Sequence, residues 1–163
     1  MRILCSVVLA LAGLWTMAAQ AQDASDKAAL TGLKEVRIVF DLTNGDPRAL
    51  ARTLDVIDQT RLSLIRQGVT PHIVLAFRGP ASRLVQTDAS LLTADERAGA
   101  GPVRDRIRAL SAASGIDGIE QCEIALTSQG ARPQNIAPGI KVVGNGWISI
   151  AAYQAKGYGY IAP

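Results

Sequence analysis

Cys122 is the side chain whose type and position best suit chemistry in this chain. It stands in residues 118–130, where a short strand is predicted to give way to a helix. The thiolate is the nucleophilic form of a cysteine, and the free N–H groups at the start of a helix favour that anion. The pattern therefore predicts a catalytic thiol at the end of a strand. The alternative interpretation is a small buried hydrophobic side chain, a common use of free cysteine.

The first 21 residues have the pattern of a secretory signal peptide. Arg2 is the only charged residue before Asp23, residues 3–19 are almost wholly apolar, and Ala19-Gln20-Ala21 has the small-x-small form of a cleavage site. The apolar stretch barely reaches the roughly 20 residues of a spanning helix, so a retained membrane anchor is the weaker alternative. We predict cleavage near Ala21, a periplasmic or secreted protein, and no membrane association after cleavage.

Cleavage would leave a single domain with one cysteine. Residues 22–33 are small, polar and alanine-rich, which is typical of an N-terminal tether. Residues 34–163 are enough for one α/β domain that buries a core without crosslinks. Because Cys5 would leave with the leader, Cys122 has no partner for an internal disulfide.

Composition and motifs exclude several functional classes. The formal net charge is +3, and no basic cluster with interleaved aromatic residues is present, so we predict no nucleic-acid partner. The chain has one histidine, His72, and no Cys/His ligand spacing, which argues against a metal site and against a histidine-based triad. A Gly-x-Gly-x-x-Gly segment after the first strand and a P-loop lysine motif are also missing, so we predict no cofactor.

Strand and helix patterns alternate along the chain. The predicted strands cover residues 35–42, 72–77, 119–122, 140–143 and 158–161. This order predicts right-handed crossovers and a three-layer α/β/α fold with a mostly parallel five-stranded sheet. Residues 86–101 are predicted as a long irregular loop that contains a capping-box spacing at Thr93 and Glu96 and ends in the small residues 98–101. Pro102 is predicted as the start of the next helix. Glu120 and Gln121 make the third strand polar, which favours its partial exposure.

Ligands of open parallel sheets collect at the carboxyl ends of the strands. Four connections should meet there, at residues 43–46, 78–80, 122–123 and 144–146. The predicted substrate-binding residues in these connections are Asn44, Gly45, Arg78, Gly79, Gly144, Asn145 and Gly146. His72 begins its strand, which is the wrong end of the sheet for a ligand site.

Several segments in a fixed order carry a family resemblance across residues 34–163. They are IVFDLTNGDP at 38–47, FRGPA at 77–81, Cys122 before its helix, PGIKVV at 138–143 and QAKGYGYI at 154–161. In this order and spacing they resemble the DsrE/DsrF-like family of small α/β proteins associated with sulfur transfer. The chain departs from relatives at Arg78, where histidine is frequent, and at residues 123–125, where a Gly-Asn-Thr type of continuation is frequent.

The resemblance implies a DsrEFH-like fold, homo-oligomers such as trimers or multiples of trimers, and a cysteine, here Cys122, that carries sulfur as a persulfide. The implied partners are a small sulfane-sulfur ligand as donor and a thiol as acceptor. Since no second cysteine remains in the mature chain, the acceptor must be another molecule or another subunit. The alternative is a non-enzymatic homo-oligomeric binding module with the same fold, in which Cys122 is structural.

Overall fold

A single sheet of five parallel strands forms the centre of the protein in a computed structural model that describes residues 25–163. The strands are β1 (Glu35–Leu42), β2 (Thr70–Phe77), β3 (Ile116–Cys122), β4 (Lys141–Val143) and β5 (Gly159–Ile161). Their order across the sheet is β4-β3-β2-β1-β5, and all four pairings are parallel. The predicted α/β class and five-stranded sheet are confirmed. The predicted leader, with its cleavage site, lies outside the described residues.

Four α-helices connect the strands. They are α1 (Pro47–Arg66), α2 (Ala94–Ser111), α3 (Glu123–Ser128) and α4 (Gly146–Ala155). Helix α1 begins as its sequence predicts, because the Asp46 carboxylate accepts a hydrogen bond from the Ala49 N–H and Pro47 occupies the first helical position. The chain between β2 and α2 contains two short 3-10 turns, at Gly79–Arg83 and Ala89–Leu91.

The sheet separates two apolar layers of unequal size. The larger layer packs alternate residues of β1 and β2 against α1 and α2, and it includes Ile38, Phe40, Leu42, Leu54, Ile73, Leu75, Phe77 and Ile107. The smaller layer, under α4, consists of Val39, Val74, Ala76, Ile150 and Tyr158. The first three connections advance from β1 to β4, whereas the last returns past β1 to β5. With right-handed crossovers, this reversal places α4 on the opposite face and completes the three layers.

Helix α2 corrects the prediction of a long loop over residues 86–101. It begins at Ala94 because Thr93 and Glu96 form a capping box, in which the Glu96 N–H donates to Thr93 Oγ1 at 3.3 Å and the Thr93 N–H donates to Glu96 Oε2 at 2.8 Å. Arg83 also donates to both Glu96 oxygens, and this contact lowers the pKa of Glu96 to about 2. Pro102 therefore lies inside the helix and does not open it.

Strand β3 is more buried than its polar residues predict. Glu120 is 7% exposed and Gln121 is 0% exposed. Glu120 accepts hydrogen bonds from the hydroxyls of Ser149 and Tyr153, the latter at 3.0 Å, and Gln121 Nε2 donates to Ser82 Oγ at 2.7 Å. Buried polar groups are tolerated where they find such partners, so the predicted partial exposure is wrong for residues 119–122, and only the first three residues of β3 are not buried.

Helices α1 and α2 approach closely at Gly99, where a Cβ atom would lie 2.5 Å from Pro47 Cβ. We expect Gly99→Ala to lower the free energy of unfolding by about 1–3 kcal/mol, because the rigid proline ring cannot yield without displacing α1. Urea denaturation of the purified protein measures this change.

Gly101→Ala is the matched control, since a Cβ atom at this position of the same helix would meet nothing within 4 Å outside its own helix backbone and its chain neighbours. It should change the free energy of unfolding by less than about 1 kcal/mol, because the smaller loss of backbone freedom of alanine is offset by the contact of its Cβ with the ring of Pro102, the next residue. An equal loss of stability in both variants would contradict the close helix contact at Gly99.

Candidate functional site

Cys122 ends β3 at the carboxyl edge of the sheet, beside the start of α4. Its side chain makes no hydrogen bond at the N-terminus of α3, the helix that follows it directly. The sulfur instead accepts a hydrogen bond from the Gly146 N–H, at 3.2 Å. The helix N-terminus that contacts the sulfur is therefore the first turn of α4, which is distant in sequence.

A cavity of about 150 Å³ lies over the sulfur. It is lined by Arg78, Gly79, Cys122, Ile124, Ala125, Asn145 and Trp147. Cys122 itself is only 6% exposed, so the cavity is its path to solvent. A cavity of this size holds about as much as one benzene molecule, so only a few heavy atoms of a ligand can enter it.

Arg78 supplies the positive charge of the cavity, and Asp41 fixes its orientation. Arg78 Nε donates to Asp41 Oδ1 at 2.8 Å, and Arg78 Nη2 donates to Asp41 Oδ2. Tyr160, on β5, donates its hydroxyl to the same Oδ2 at 2.7 Å. The hydrogen bonds to Asp41 raise the pKa of Arg78, which remains a cation. Its guanidinium carbon lies 5.6 Å from the ring centre of Trp147, within the range of a cation–π contact.

Glycine at position 146 permits the close approach of α4 to the thiol. A Cβ atom there would lie 2.7 Å from Arg78 Cδ and 3.0 Å from Cys122 Cβ. Asn145 starts the helix at this point, because its side-chain oxygen accepts a hydrogen bond from the Trp147 N–H at 3.0 Å. The sequence Gly-Asn-Gly thus combines a helix cap with a residue small enough to place its amide on the sulfur.

The structure brings together most of the predicted site residues. Arg78, Gly79 and Asn145 line the cavity with Cys122, and Gly146 contacts the sulfur.

The other three predicted residues lie on the same edge of the sheet but outside the cavity lining. The side-chain oxygen of Asn44 accepts a hydrogen bond from the Asp46 N–H at 2.9 Å. Gly45 lies against Pro80, and Gly144 is exposed. Their role toward a ligand stays a prediction.

Two groups of residues at the site were not predicted from the sequence. Ile124 and Trp147 form an apolar part of the cavity wall, and Asp41 and Tyr160 hold Arg78 in place. The acidic Asp41 inside an apolar strand was the available signal, since a carboxylate that is 3% exposed requires strong donors. Nothing in the sequence pairs it with Arg78 or Tyr160.

Other candidate chemistry is sparse between residues 25 and 163. No group of three or more His, Cys, Asp or Glu side chains in this part of the chain could hold a metal ion. His72 belongs to the opposite edge of the sheet, where its Nδ1 lies 3.0 Å from Asp117 Oδ2. None of the helices described is long and apolar enough to cross a membrane.

Comparisons with known proteins support the fold. No protein-family model matches the chain. An uncharacterized protein of Aquifex aeolicus (strain VF5) is 22% identical over 126 residues, which are 77% of this chain and 55% of that protein, so the chain spans about half the length of this relative. The solved structure of MTH1491, a protein of unknown function from Methanobacterium thermoautotrophicum, matches with a TM-score of 0.57 and 19% identity over 78% of this chain and 99% of that one. The structural match shows the α/β fold alone.

The cavity predicts size-selective reactivity of Cys122. We expect iodoacetamide to modify Cys122 in the wild type and a bulky aromatic maleimide to react much more slowly, because the sulfur is reached through the cavity. Trp147→Ala removes part of the wall and should accelerate the maleimide several-fold, with little effect on iodoacetamide. Mass mapping of the peptide that contains Cys122 measures both rates and separates them from any reaction at Cys5.

Ile148→Ala is the matched control. Ile148 is 68% exposed and Trp147 is 69% exposed, but Ile148 does not line the cavity, so its removal should leave both rates unchanged. A thiol that resists both reagents in the folded wild type would mean that the cavity does not reach the sulfur.

Proposed function

We propose that this is an exported DsrE-like protein that relays sulfane sulfur, the reactive outer sulfur of persulfides and polysulfides, as a persulfide on Cys122. Export after cleavage near Ala21 and the family relationship are parts of the proposal. The observation that carries the chemistry is the position of the thiol: on the floor of a small cavity, against the Gly146 N–H, with a guanidinium in the wall.

The transfer requires only thiol and persulfide chemistry. The Cys122 thiolate attacks the outer sulfur of a donor R–S–SH, so a new S–S bond forms, the donor S–S bond breaks and R–S⁻ leaves. An acceptor thiolate R′–S⁻ then attacks the outer sulfur of the Cys122 persulfide, forms R′–S–SH and releases the Cys122 thiolate. No electrons are gained or lost overall, and no cofactor is needed.

The surrounding groups suit these two steps. The Gly146 N–H stabilises the thiolate before attack and after release, as a donor at a helix N-terminus does. Arg78 faces the cavity, where it can hold the anionic leaving sulfur, and the amide of Asn145 lies in the same wall. The aromatic and aliphatic lining of Trp147 and Ile124 favours a polarisable, weakly hydrated sulfur chain.

Intact-mass spectrometry after exposure to polysulfide tests the relay. We expect the wild type to gain sulfur that a small thiol removes, because the persulfide is attacked at its outer atom. In the protein from which residues 1–21, and with them Cys5, have been removed, Cys122→Ser should gain none, whereas Ser128→Ala, which alters an exposed hydroxyl of α3 outside the cavity, should behave as the wild type does. A wild type that is alkylated by iodoacetamide but takes up no sulfur would refute the relay.

A second candidate is a homo-oligomeric binding module in which Cys122 is structural. The observation in its favour is a set of exposed apolar side chains on α3, α4 and β5, two of which line the cavity and which an isolated subunit would leave in water. The set consists of Ile124, Trp147, Ile148, Tyr160 and Ile161, with exposures of 58%, 69%, 68%, 46% and 43%. A second copy of the chain on this surface would also close the cavity at Trp147.

Light scattering tests the association. We expect a homo-oligomer, a trimer or a multiple of a trimer, and Ile148→Asp should dissociate it because a buried charge at the contact is costly. Leu62→Asp, which adds the same charge at an exposed apolar position of α1, is the control and should leave the oligomer intact. A wild-type monomer at working concentration would refute the association without bearing on the relay.

A further inference from the structure

Unlike an ordinary anion site, the Cys122 cavity has a positive charge that is paired with a buried carboxylate. Arg78 is the only charged side chain among the residues that line the cavity. Its Nε and Nη2 both donate hydrogen bonds to Asp41, and the Asp41 carboxylate is 3% exposed. Within the described residues, only Nη1 of this guanidinium makes no hydrogen bond. The positive charge is thus opposed by a buried negative charge in direct contact with it.

The wider surroundings add negative charge. Glu120 precedes Cys122 by two residues on the same face of β3 and is bonded to hydroxyls, and Glu123 is the exposed first residue of α3. Lys141, opposite Glu120 on β4, is exposed to solvent. Counted with the Asp41–Arg78 pair, the elements that end at this edge of the sheet therefore carry two cations and three carboxylates.

Asp41 cannot easily leave Arg78 when a ligand enters. Its oxygens accept hydrogen bonds from Nε and Nη2 of Arg78 and from the Tyr160 hydroxyl. A move away from Arg78 would therefore leave a buried carboxylate without these donors. The Gly146 N–H is also occupied, by the sulfur. A ligand in the cavity therefore meets one cation, Arg78, whose charge is largely compensated by Asp41. The rest of the wall is mostly apolar.

We propose that Asp41 determines the charge of the ligand, so that the Cys122 cavity takes neutral or singly charged sulfane chains, such as organic persulfides and hydropolysulfides, and rejects dianions of the thiosulfate type. This inference rests on the proposed function for its substrate class. The physical reason is desolvation: one charge can be met by the free edge of Arg78, but a second would find only the neutral amide of Asn145 in a mostly apolar cavity of about 150 Å³.

Methanesulfonate and sulfate are suitable probes, because they are similar in size and shape and differ by one charge. Each is added at constant ionic strength while neutral iodoacetamide alkylates the full-length protein, and the modification is read at the Cys122 peptide. In the wild type, methanesulfonate should slow alkylation of Cys122 at several-fold lower concentration than sulfate. Equal protection by the two anions, or protection by sulfate alone, would overturn the proposal, as would protection by neither.

Asp41→Asn should reverse the selectivity. Without the opposing carboxylate, we expect the ratio of sulfate to methanesulfonate half-protection concentrations to fall about five- to tenfold. Asp55→Asn is the matched control, because Asp55 forms the same two-point pair with Arg106, at 2.6 and 2.9 Å, between α1 and α2 and away from the cavity. It should leave the ratio unchanged. An unchanged ratio in a folded Asp41→Asn protein would overturn the proposal, and if that variant does not fold the wild-type comparison decides alone.

The two proposals can fail separately. Charge selection is read from protection against alkylation and needs no sulfur transfer. If the wild type prefers methanesulfonate yet gains no sulfur from polysulfide, the charge selection stands and the relay fails. If it gains sulfur but protects equally with both anions, the relay stands and the role of Asp41 fails.

Discussion

The close approach of α4 to the end of β3 is the contact on which the rest of the site depends. Parallel pairing of β2 with β3 brings Arg78 and Cys122 to one edge of the sheet, but it leaves the sulfur without a donor. The return of the chain from β4 to β5 carries the first turn of α4 across this edge. Because position 146 has no side chain, the helix amide reaches the sulfur directly.

The same contact explains why a largely buried cysteine can still be a candidate nucleophile. A thiol enclosed only by apolar groups would be inert, because burial disfavours its anion. Cys122 has instead a helix N–H at its sulfur and a guanidinium in the cavity wall. The carboxylate of Asp41 compensates the charge of that guanidinium, so the site combines a hydrogen-bond donor at the sulfur with little net charge.

The sequence predicted those features that depend on local patterns. Strand β1 spans the predicted residues 35–42, and α1 begins at its Asp-Pro cap, because apolar periodicity and capping act over a few residues. The capping-box spacing at Thr93 and Glu96 was also visible, but the small residues that follow it suggested a loop. They form a helix because Gly99 packs against Pro47 of α1, a tertiary contact that no local pattern shows.

The candidate site likewise has some features that local patterns predict and others that depend on contacts between residues distant in sequence. Arg78, Asn145 and Cys122 could be placed on one edge from the strand–helix order alone, because parallel strands end together. The helix whose N–H contacts the sulfur could not be predicted in this way. Helices α3 and α4 both begin at this edge, and only the crossover to β5 brings α4 to the sulfur. Asp41 and Trp147 were missed because their partners come from strands and helices that are distant along the chain.

The two faces of the sheet position the site by different forces. The face under α1 and α2 is a continuous apolar core, whereas α4 packs on the smaller apolar layer and is also held by hydrogen bonds from Ser149 and Tyr153 to Glu120. Burial and the hydrogen bond to Glu120 raise the pKa of Tyr153 to about 12, so its hydroxyl keeps the proton that it donates. Hydrogen bonds are directional, and a helix held by them keeps its register better than one held by apolar contact alone. The register of α4 fixes the Gly146 amide, so Glu120, two residues from the thiol along β3, contributes to the geometry of the sulfur without touching it.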